Sequence, residues 1–189
     1  MVKVFLRHGF LLLALAFAGR AAYSQTAAVT SNPALNPRLR ILVVHGPNMN
    51  LLGRREPAIY GTMTLDGVNE KLQKVAAELN VELIIVQSNH DGVLIDTFQQ
   101  HIDDVDGAIL NAAGDSFHSV GLHDVIKAVP FPTIEVHMSN LGTRDAIHQG
   151  SLITAAARGS VSGLGWRSYT MALRAVAEIA REEKKAKKQ

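Results

Sequence analysis

Apolar residues fall into two patterns along this chain, short continuous runs and longer segments with three- to four-residue spacing. The continuous runs are Ile41 to Val44, Val81 to Val86, Ala108 to Leu110, Thr133 to Val136 and, more weakly, Val161 to Leu164. Runs that are apolar on both faces are typical of strands in a buried parallel sheet. The spaced segments predict helices at residues 65–79, 93–101, 120–128, 151–158 and 168–182.

Strand and helix alternate from Arg40 onward, which predicts an α/β fold with a doubly wound, five-stranded parallel sheet and helices on both faces. Five strands in so short a stretch fit a flavodoxin-like order, in which ligands bind beyond the carboxyl ends of the strands. We expect this domain to span residues 40–182 and a solvated basic tail to occupy residues 183–189.

The first residues have the pattern of a secretory signal peptide. Lys3 and Arg7 precede an apolar run at residues 10–18, and small residues at 22–24 provide a cleavage site. The run is short for a membrane span, so we expect export to the periplasm as a protein free of the membrane after signal removal. Cytoplasmic residence is the alternative if the signal is unused. Residues 25–39 are rich in small, polar and proline residues and predict a linker.

Composition excludes several kinds of chemistry. The 189 residues include no cysteine, so disulfides, thiol catalysis and thiolate metal sites are ruled out. The net charge is only +2 and aromatic residues make up 5%, without a basic stripe of interleaved aromatics, so nucleic acid is not an expected partner. His118 and His123 are five residues apart, off the four-residue ligand spacing of a helix, and we expect no metal.

A Gly/Pro-rich loop directly after the first predicted strand carries the most informative residues. It places Arg54, Arg55 and Tyr60 close together in sequence, with Asn48 before them. A tyrosine phenol has a pKa of about 10 and becomes a base near neutral pH when a neighbouring guanidinium stabilises its anion. The alternative is that the arginines are a solvated pair and the tyrosine an ordinary packing residue.

Two further strand ends carry polar residues. The third strand ends at Asn111, with Gly114 allowing a tight backbone approach and Ser116 or Ser119 available to cap the next helix. In the fourth strand, Glu135 and His137 alternate with apolar residues and therefore point to the same side. Such a pair is either a general acid held by its carboxylate or a structural ion pair.

Together these residues supply a base, a polarising group and an acid, which suits the elimination of water next to a carbonyl. A serine hydrolase would need a Gly-x-Ser-x-Gly turn, which the chain lacks. No glycine-rich segment matches a Walker or dinucleotide fingerprint, so a flavin carrier would rest on fold analogy alone.

These residues resemble the type II 3-dehydroquinate dehydratases over residues 40–180. The likeness is carried by Gly46-Pro47-Asn48, by Leu52 to Pro57 with Tyr60-Gly61, by Asn111 with Gly114, and by Ile134 to Asn140 with Arg144. The resemblance implies a flavodoxin-like subunit, assembled as a dodecamer built from trimers, that converts 3-dehydroquinate to 3-dehydroshikimate without cofactor or metal. Export would then suit quinate breakdown.

The resemblance also implies a role for each matching residue. Tyr60, as a tyrosinate favoured by Arg55, would remove the C2 proton, and Asn48 would hold a water that stabilises the enolate. The departing C1 hydroxyl would be protonated by His137, which Glu135 and Asn111 would orient. Supporting and substrate-binding roles would fall to Glu135, Asn111, Met138, Ser139, Asp124, acting in a neighbouring subunit, and Arg144.

The chain departs from the family pattern in the residues that contact substrate hydroxyls. Phe117 stands where a histidine is usual, and His148 where a second arginine is usual. Gly150-Ser151 replaces His-Ser, and His45 stands where asparagine is common. His118 and His148 are expected to take over the lost contacts. Dehydratase activity that persists, is reduced or shifts to a related cyclic hydroxy-keto acid is one set of alternatives. A non-enzymatic binder or sensor of quinate-like acids is the other.

Overall fold

The computed structural model of the protein describes residues 38–189. The expected signal peptide at residues 1–24, and the expected linker up to residue 37, lie outside the described residues. Residues 38–189 belong to one compact unit. Within this part of the chain, no helix is both long and apolar enough to cross a membrane.

Five strands form one parallel sheet, as predicted. They are β1 (Leu39–His45), β2 (Val81–Gln87), β3 (Gly107–Asn111), β4 (Thr133–His137) and β5 (Gly159–Ser162). Their order across the sheet is β2-β1-β3-β4-β5, and every neighbouring pair is parallel. This is the flavodoxin-like order, so the carboxyl ends of β1, β3 and β4 are adjacent at one edge of the sheet.

Within the described residues five helices accompany the sheet, and two of them begin at a side-chain cap. They are α1 (Pro57–Tyr60), α2 (Leu65–Leu79), α3 (Asp91–Gln100), α4 (Val120–Ala128) and α5 (Arg167–Ala186). Thr64 Oγ1 accepts the Gly67 N–H at 3.1 Å at the start of α2. Ser119 Oγ does the same for the Leu122 N–H at 3.0 Å at the start of α4, which confirms one of the two predicted caps.

The core consists of two layers, one on each face of the sheet. Alternate residues of β1 point to opposite faces, so Ile41 and Val43 pack with α2 and α5. Leu42 and Val44 instead pack with α3 and α4. Because both faces are covered, the strands are apolar throughout rather than alternating, which is the pattern that made them recognisable in the sequence.

The predicted helix at residues 151–158 is wrong. Only a 3₁₀ turn forms there, at Ile153–Ala155. Two polar side chains of this segment form hydrogen bonds outside a regular helix. Ser151 Oγ accepts the Ile153 N–H at 3.0 Å, and Thr154 Oγ1 donates to the Glu135 carboxylate on β4. Such side-chain bonds compete with helix formation, and β5 begins directly afterwards at Gly159.

Two other boundaries also differ from the predicted ones. The last strand begins at Gly159 instead of Val161 and ends before Gly163, whose φ of 90° does not continue a strand. The last helix continues to Ala186, so residues 183–186 of the expected basic tail are helical. Lys184 forms an ion pair with Asp106, which ties this extension to the domain.

Gly46, directly after β1, allows a close approach between two of the loops that carry polar residues. A Cβ at this position would lie 2.5 Å from the Ala112 carbonyl oxygen, which belongs to the backbone and has little room to move. We expect Gly46→Ala to lower the free energy of unfolding by about 1 to 3 kcal/mol, as overpacking does. Urea unfolding measures this loss.

Gly92 offers a matched control, because a Cβ there meets no atom within 4 Å. It lies in the first turn of α3, where alanine favours the helix. Gly92→Ala should therefore leave the unfolding free energy unchanged or raise it. Equal losses in the two variants would contradict the close-approach argument.

Candidate active site

A cavity of about 160 Å³ lies beyond the carboxyl ends of β1, β3 and β4. Nine of the twelve residues expected at the site line it: Asn48, Arg55, Tyr60, Asn111, His137, Met138, Ser139, Arg144 and His148. A cavity this small suits a small metabolite rather than a drug-sized cofactor. The sheet topology therefore brings together groups that are up to a hundred residues apart in sequence.

The backbone around the cavity is held in uncommon conformations. Asn48, Glu56 and Ala113 have φ values of 64°, 37° and 50°. These positive φ values lie in the left-handed region of the backbone map. Alanine has no side-chain amide to stabilise that conformation, so Ala113 keeps it only because neighbouring groups hold its backbone. At Ala113 the Asn111 side chain does so, because its Oδ1 accepts the Ala113 N–H at 3.1 Å.

Glu135 and His137 form a buried pair, as the alternation in β4 predicts. Glu135 Oε1 lies 2.7 Å from His137 Nε2, and both side chains are almost completely removed from solvent. With Nε2 directed to the carboxylate, Nδ1 is the ring nitrogen left for a ligand in the cavity. This geometry fits a general acid held by its carboxylate.

Two hydroxyl groups complete the environment of Glu135. Ser151 Oγ donates to Oε1 at 2.5 Å, and Thr154 Oγ1 donates to Oε2. Burial on its own would raise the pKa of Glu135, but the hydrogen bonds from His137, Ser151 and Thr154 bring it below its ordinary value. The carboxylate is therefore ionised at neutral pH and presents a fixed negative charge to the imidazole.

The phenol of Tyr60 is bonded to a different arginine from the one expected. Arg144 Nη1 donates to Tyr60 Oη at 3.1 Å and also to Ser139 Oγ at 3.1 Å. Arg55 instead faces the Tyr60 ring, with its guanidinium carbon 4.8 Å from the ring centroid, while its Nη2 pairs with Glu56 at 2.6 Å. Both cations are close enough to stabilise a tyrosinate, but Arg144 makes the direct hydrogen bond.

Arg54 is exposed and does not line the cavity, so it is a solvated arginine. Arg55 is not, and the alternative in which both loop arginines form a solvated pair holds for Arg54 only. Asn48 lines the cavity, and its backbone N–H donates to Asn89 Oδ1 at 2.9 Å. Asn111 also lines the cavity, but its side-chain Oδ1 accepts the Ala113 N–H at 3.1 Å rather than bonding His137. The expectation that Asn111 orients the imidazole is therefore corrected.

The structure separates the two histidines that were expected to take over substrate contacts. His118 does not line the cavity; its side chain is 69% exposed and lies 3.5 Å from Asp115. Phe117 occupies the cavity wall instead, edge-on to His148 with ring centroids 5.5 Å apart. His148 does line the cavity, and its Nδ1 is 2.5 Å from Asp145 Oδ1, a contact that lowers the pKa of that carboxyl.

Asp124 also lies outside the cavity of its own chain. It is on α4, with a side chain 69% exposed, and pairs with His123 at 2.9 Å. A role for Asp124 in a site would therefore require a second copy of the chain.

A wider groove of about 710 Å³ adjoins the cavity and shares Tyr60, Met138, Ser139 and Arg144 with it. The groove is the larger of the two, but the buried His137–Glu135 pair faces the inner cavity. We therefore assign the chemistry to the inner cavity and regard the groove as its approach. The Tyr60 phenol and the Arg144 guanidinium stand between the two spaces.

His45, at the end of β1, is completely buried between two polar side chains. Its Nε2 lies 3.0 Å from Asn69 Oδ1 and its Nδ1 2.9 Å from Tyr169 Oη. Burial lowers the pKa of His45 to about 4, although the hydrogen bond to Asn69 opposes this. The imidazole is therefore neutral at every pH at which the protein is expected to work.

This buried histidine makes the stability depend on pH. As pH falls through about 6.5 the unfolded chain binds a proton at His45, whereas the folded protein does so only near pH 4. We expect the free energy of unfolding to fall across this window, by about 3 kcal/mol from this residue alone.

In His45→Asn this contribution should be absent, so the free energy of unfolding should fall less between pH 6.5 and 4 than in the wild type. The carboxyl groups titrate alike in both proteins, so the difference between the two slopes isolates His45. Urea unfolding at several pH values compares the two slopes. Equal slopes in the two proteins would show that His45 is not held neutral in the folded state.

Among the described residues, no group of three or more His, Asp or Glu side chains is arranged to hold a metal ion. The expectation that the chain needs no metal or organic cofactor stays a prediction.

Comparison with known proteins gives one consistent result. The family model for class II dehydroquinases matches residues 39–177. The 3-dehydroquinate dehydratase of Roseiflexus castenholzii is 46% identical over 135 residues, which cover 71% of this chain and 86% of the relative. That of Pelotomaculum thermopropionicum is 42% identical over 142 residues, covering 75% and 99%.

Solved structures agree. The type II dehydroquinase of Propionibacterium acnes has a TM-score of 0.72 at 33% identity and covers 76% of this chain and 99% of its own. That of Butyrivibrio crossotus has the same TM-score at 31% identity, covering 74% and 97%. The family model, the relatives and the solved structures all show that the chain belongs to the class II dehydroquinases, a family of hydro-lyases.

Proposed function

We propose that this chain dehydrates 3-dehydroquinate to 3-dehydroshikimate by anti elimination through an enolate. One observation carries the proposal. A single cavity is lined both by a tyrosine hydroxyl bonded to a guanidinium and by an imidazole bonded to a buried carboxylate. A base and an acid that line one small cavity suit the removal of a proton and a hydroxyl group from neighbouring carbons.

Tyr60 is the base in this proposal. Its tyrosinate takes the C2 proton next to the ketone, and the electron pair of the C–H bond moves onto the carbonyl oxygen to form the enolate. Arg144 donates to the phenol oxygen at 3.1 Å and Arg55 lies against the ring, so two positive charges stabilise the tyrosinate. Asn48, at the cavity wall, is suited to hold a water that donates to the enolate oxygen.

His137 is the acid. The enolate collapses to the conjugated enone, the C1–O bond breaks, and the imidazolium gives its proton to the departing hydroxyl group, which leaves as water. Glu135 is ionised and 2.7 Å from His137 Nε2, so its charge balances the imidazolium before the step. After the reaction Tyr60 is protonated and His137 is neutral, and solvent restores both.

The remaining residues bind the substrate. We assign its carboxylate to the backbone around Met138 and Ser139, and its hydroxyl groups to Asn111 and His148, all of which line the cavity. Phe117 contributes an apolar edge that donates no hydrogen bond. A lost hydrogen bond to a charged group costs about 1.5 to 3 kcal/mol, so the strength of substrate binding depends on how well His148 makes its contact.

We further propose a homo-oligomer, a dodecamer built from trimers, in which Asp124 reaches the site of a neighbouring subunit. Its exposure on α4, away from the cavity of its own chain, supports this assignment. Light scattering on the purified protein gives the mass directly. A monomer of 20.4 kDa with full activity would exclude the role of Asp124.

Export, and with it a role in quinate breakdown, is also a proposal. It rests on the sequence pattern of residues 1–24, with basic residues before an apolar run and a small-residue cleavage site. Fractionation of cells that express the full chain tests it, with the periplasmic fraction expected to hold a shortened protein. Recovery of the full-length chain from the cytosol alone would contradict it.

The activity is tested by mixing the protein from Gln25 onward with 3-dehydroquinate and following the ultraviolet absorbance of the conjugated enone. Absorbance should rise, and the rise should be absent with Tyr60→Phe. Calorimetry with the same ligand separates the other readings. Binding without product would identify a binder or sensor of quinate-like acids, and the absence of both would point to a related hydroxy-keto acid as substrate.

A further inference from the structure

A histidine and an aspartate in the loop after β4 form a pair between the cavity and the groove. His148 Nδ1 lies 2.5 Å from Asp145 Oδ1, and the two side chains are 39% and 65% exposed. His148 lines the inner cavity, whereas Asp145 lines the wider groove beside it. His148 is therefore the member placed to contact a ligand in the cavity, and Asp145 acts on that ligand only through the imidazole.

The aspartate is fixed by the turn to which it belongs. Its Oδ1 also accepts the His148 backbone N–H at 3.1 Å, so Asp145 caps the 3₁₀ turn at Ala146–His148. Gln149 Nε2 donates to the Arg144 carbonyl oxygen at 2.6 Å and so bridges the two ends of the same turn. One carboxylate oxygen thus holds both the backbone and the ring of His148.

This hydrogen bond decides which ring nitrogen carries a proton. Hydrogen bonding from His148 lowers the pKa of Asp145 below its ordinary value, so the carboxylate is ionised at neutral pH and only accepts. The proton of the neutral imidazole is therefore on Nδ1, which leaves Nε2 as an acceptor. Phe117 lies edge-on to the ring, with centroids 5.5 Å apart, and contacts it without offering a hydrogen-bonding group.

We propose that Asp145 is a positioning residue, which holds His148 through Nδ1 so that Nε2 accepts a hydrogen bond from a hydroxyl group of the substrate. An arginine in this place would only donate, and would bind a carbonyl or carboxylate oxygen as readily as a hydroxyl group. The neutral, oriented imidazole instead selects a group that has a proton to donate. The inference deepens the proposed function and rests on it, since the ligand in question is 3-dehydroquinate.

The test is Asp145→Asn, because asparagine keeps the size of the side chain and its capping oxygen but removes the charge. Its amide donates to Nδ1 as well as it accepts from it, so His148 is no longer restricted to one tautomer. We expect KM for 3-dehydroquinate to rise about three- to tenfold, the effect of one weakened hydrogen bond, with kcat within about threefold of wild type. An unchanged KM would overturn the proposal.

A second background shows whether the effect passes through the histidine. In His148→Ala, the Asp145→Asn change should leave KM unaltered, because the contact that Asp145 positions is already absent. Equal rises in KM in the two backgrounds would mean that Asp145 acts in another way, such as through its charge on Arg144, and would also overturn the proposal.

The pair of His101 and Asp104 provides a matched control. His101 Nδ1 lies 2.9 Å from Asp104 Oδ1, the two residues are again three apart, and neither lines the cavity or the groove. Asp104→Asn should leave KM unaltered. A rise in KM equal to that of Asp145→Asn would show that the loss of any such surface pair is sufficient, which contradicts a positioning role.

A readout without turnover distinguishes failure of this proposal from failure of the proposed function. Solid-state NMR of the protein labelled with ¹⁵N-histidine reports the tautomer of each ring, because protonated and unprotonated ring nitrogens resonate far apart. The spectra are recorded at about pH 8.5, above the ordinary pKa of histidine. The signals that disappear in His148→Ala identify this residue.

Those signals should show a proton on Nδ1 and none on Nε2 in the wild type, and a mixture of the two tautomers in Asp145→Asn. A wild-type His148 protonated on Nε2 would refute the positioning role, whether or not the protein converts 3-dehydroquinate. The expected tautomers in a protein that forms no enone would place the failure in the proposed function instead.

Discussion

Tyr60→Phe is expected to lower kcat for 3-dehydroquinate by about 10²- to 10⁴-fold, the range that a positioned general base contributes. Phenylalanine keeps the ring against the Arg55 guanidinium but removes the oxygen, to which Arg144 Nη1 donates at 3.1 Å. KM should change little, because the cavity walls and the other binding groups stay in place. The initial rate of enone absorbance at several substrate concentrations gives both constants.

Arg54→Ala is the matched control for this loop. It removes one positive charge from the same segment, but its side chain is exposed and does not line the cavity. Its kcat should stay within about twofold of wild type, since surface changes away from a site have small effects. A normal kcat for Tyr60→Phe would exclude the tyrosine as the base, and an equal loss in Arg54→Ala would indicate damage to the whole loop.

His137→Gln is expected to lower kcat by a similar factor, about 10²- to 10⁴-fold, because glutamine cannot donate a proton to the leaving hydroxyl group. It also removes one of the hydrogen bonds to the buried carboxylate of Glu135, although Ser151 and Thr154 remain. We therefore expect a loss of about 1 to 3 kcal/mol in the free energy of unfolding. Steady-state kinetics and urea unfolding at pH 7 measure the two effects.

The control here is His101→Gln, which changes a histidine bonded to an exposed aspartate, Asp104, at the end of α3. It makes the same substitution outside the cavity and should leave kcat unchanged. If His137→Gln kept the rate of the wild type, the acid would have to be another group of the cavity wall, and His148 would be the next residue to replace.

The fold was largely predictable from the sequence because the sheet is covered on both faces. Strands such as β1 are buried throughout and therefore read as continuous apolar runs, while α2 and α4 have caps at Thr64 and Ser119. The prediction was wrong at residues 151–158, where apolar spacing suggested a helix. There, Ser151 and Thr154 bond to Glu135, a partner 16 and 19 residues away that local spacing does not reveal.

The site was predictable where local sequence determines it. Alternation along β4 placed Glu135 and His137 on one side, and parallel topology brought the loops after β1, β3 and β4 to one cavity. The bond from Arg144 to Tyr60 was not predictable from spacing, because 84 residues separate them and Arg55 is much nearer in sequence. Only the folded loop after β4 decides which guanidinium meets the phenol.

Single-residue offsets were the hardest part to predict. His118 follows Phe117, but the 3₁₀ turn at Ala113–Phe117 directs the phenylalanine to the cavity and leaves the histidine exposed. Tyr169 was missed altogether, since a tyrosine at an apolar position of α5 has the pattern of an ordinary core residue. Its hydrogen bond to His45 exists only because β1 and α5 are adjacent in the fold.

The division of labour between Tyr60 and His137 is tested most directly by incubating 3-dehydroquinate in D₂O with each variant and following the C2 hydrogen by NMR. If Tyr60 removes that proton and His137 acts only afterwards, His137→Gln should exchange C2 hydrogen for deuterium while forming almost no enone. Tyr60→Phe should do neither. Deuterium at C2 with Tyr60→Phe at the rate of His137→Gln would contradict the assignment of the base.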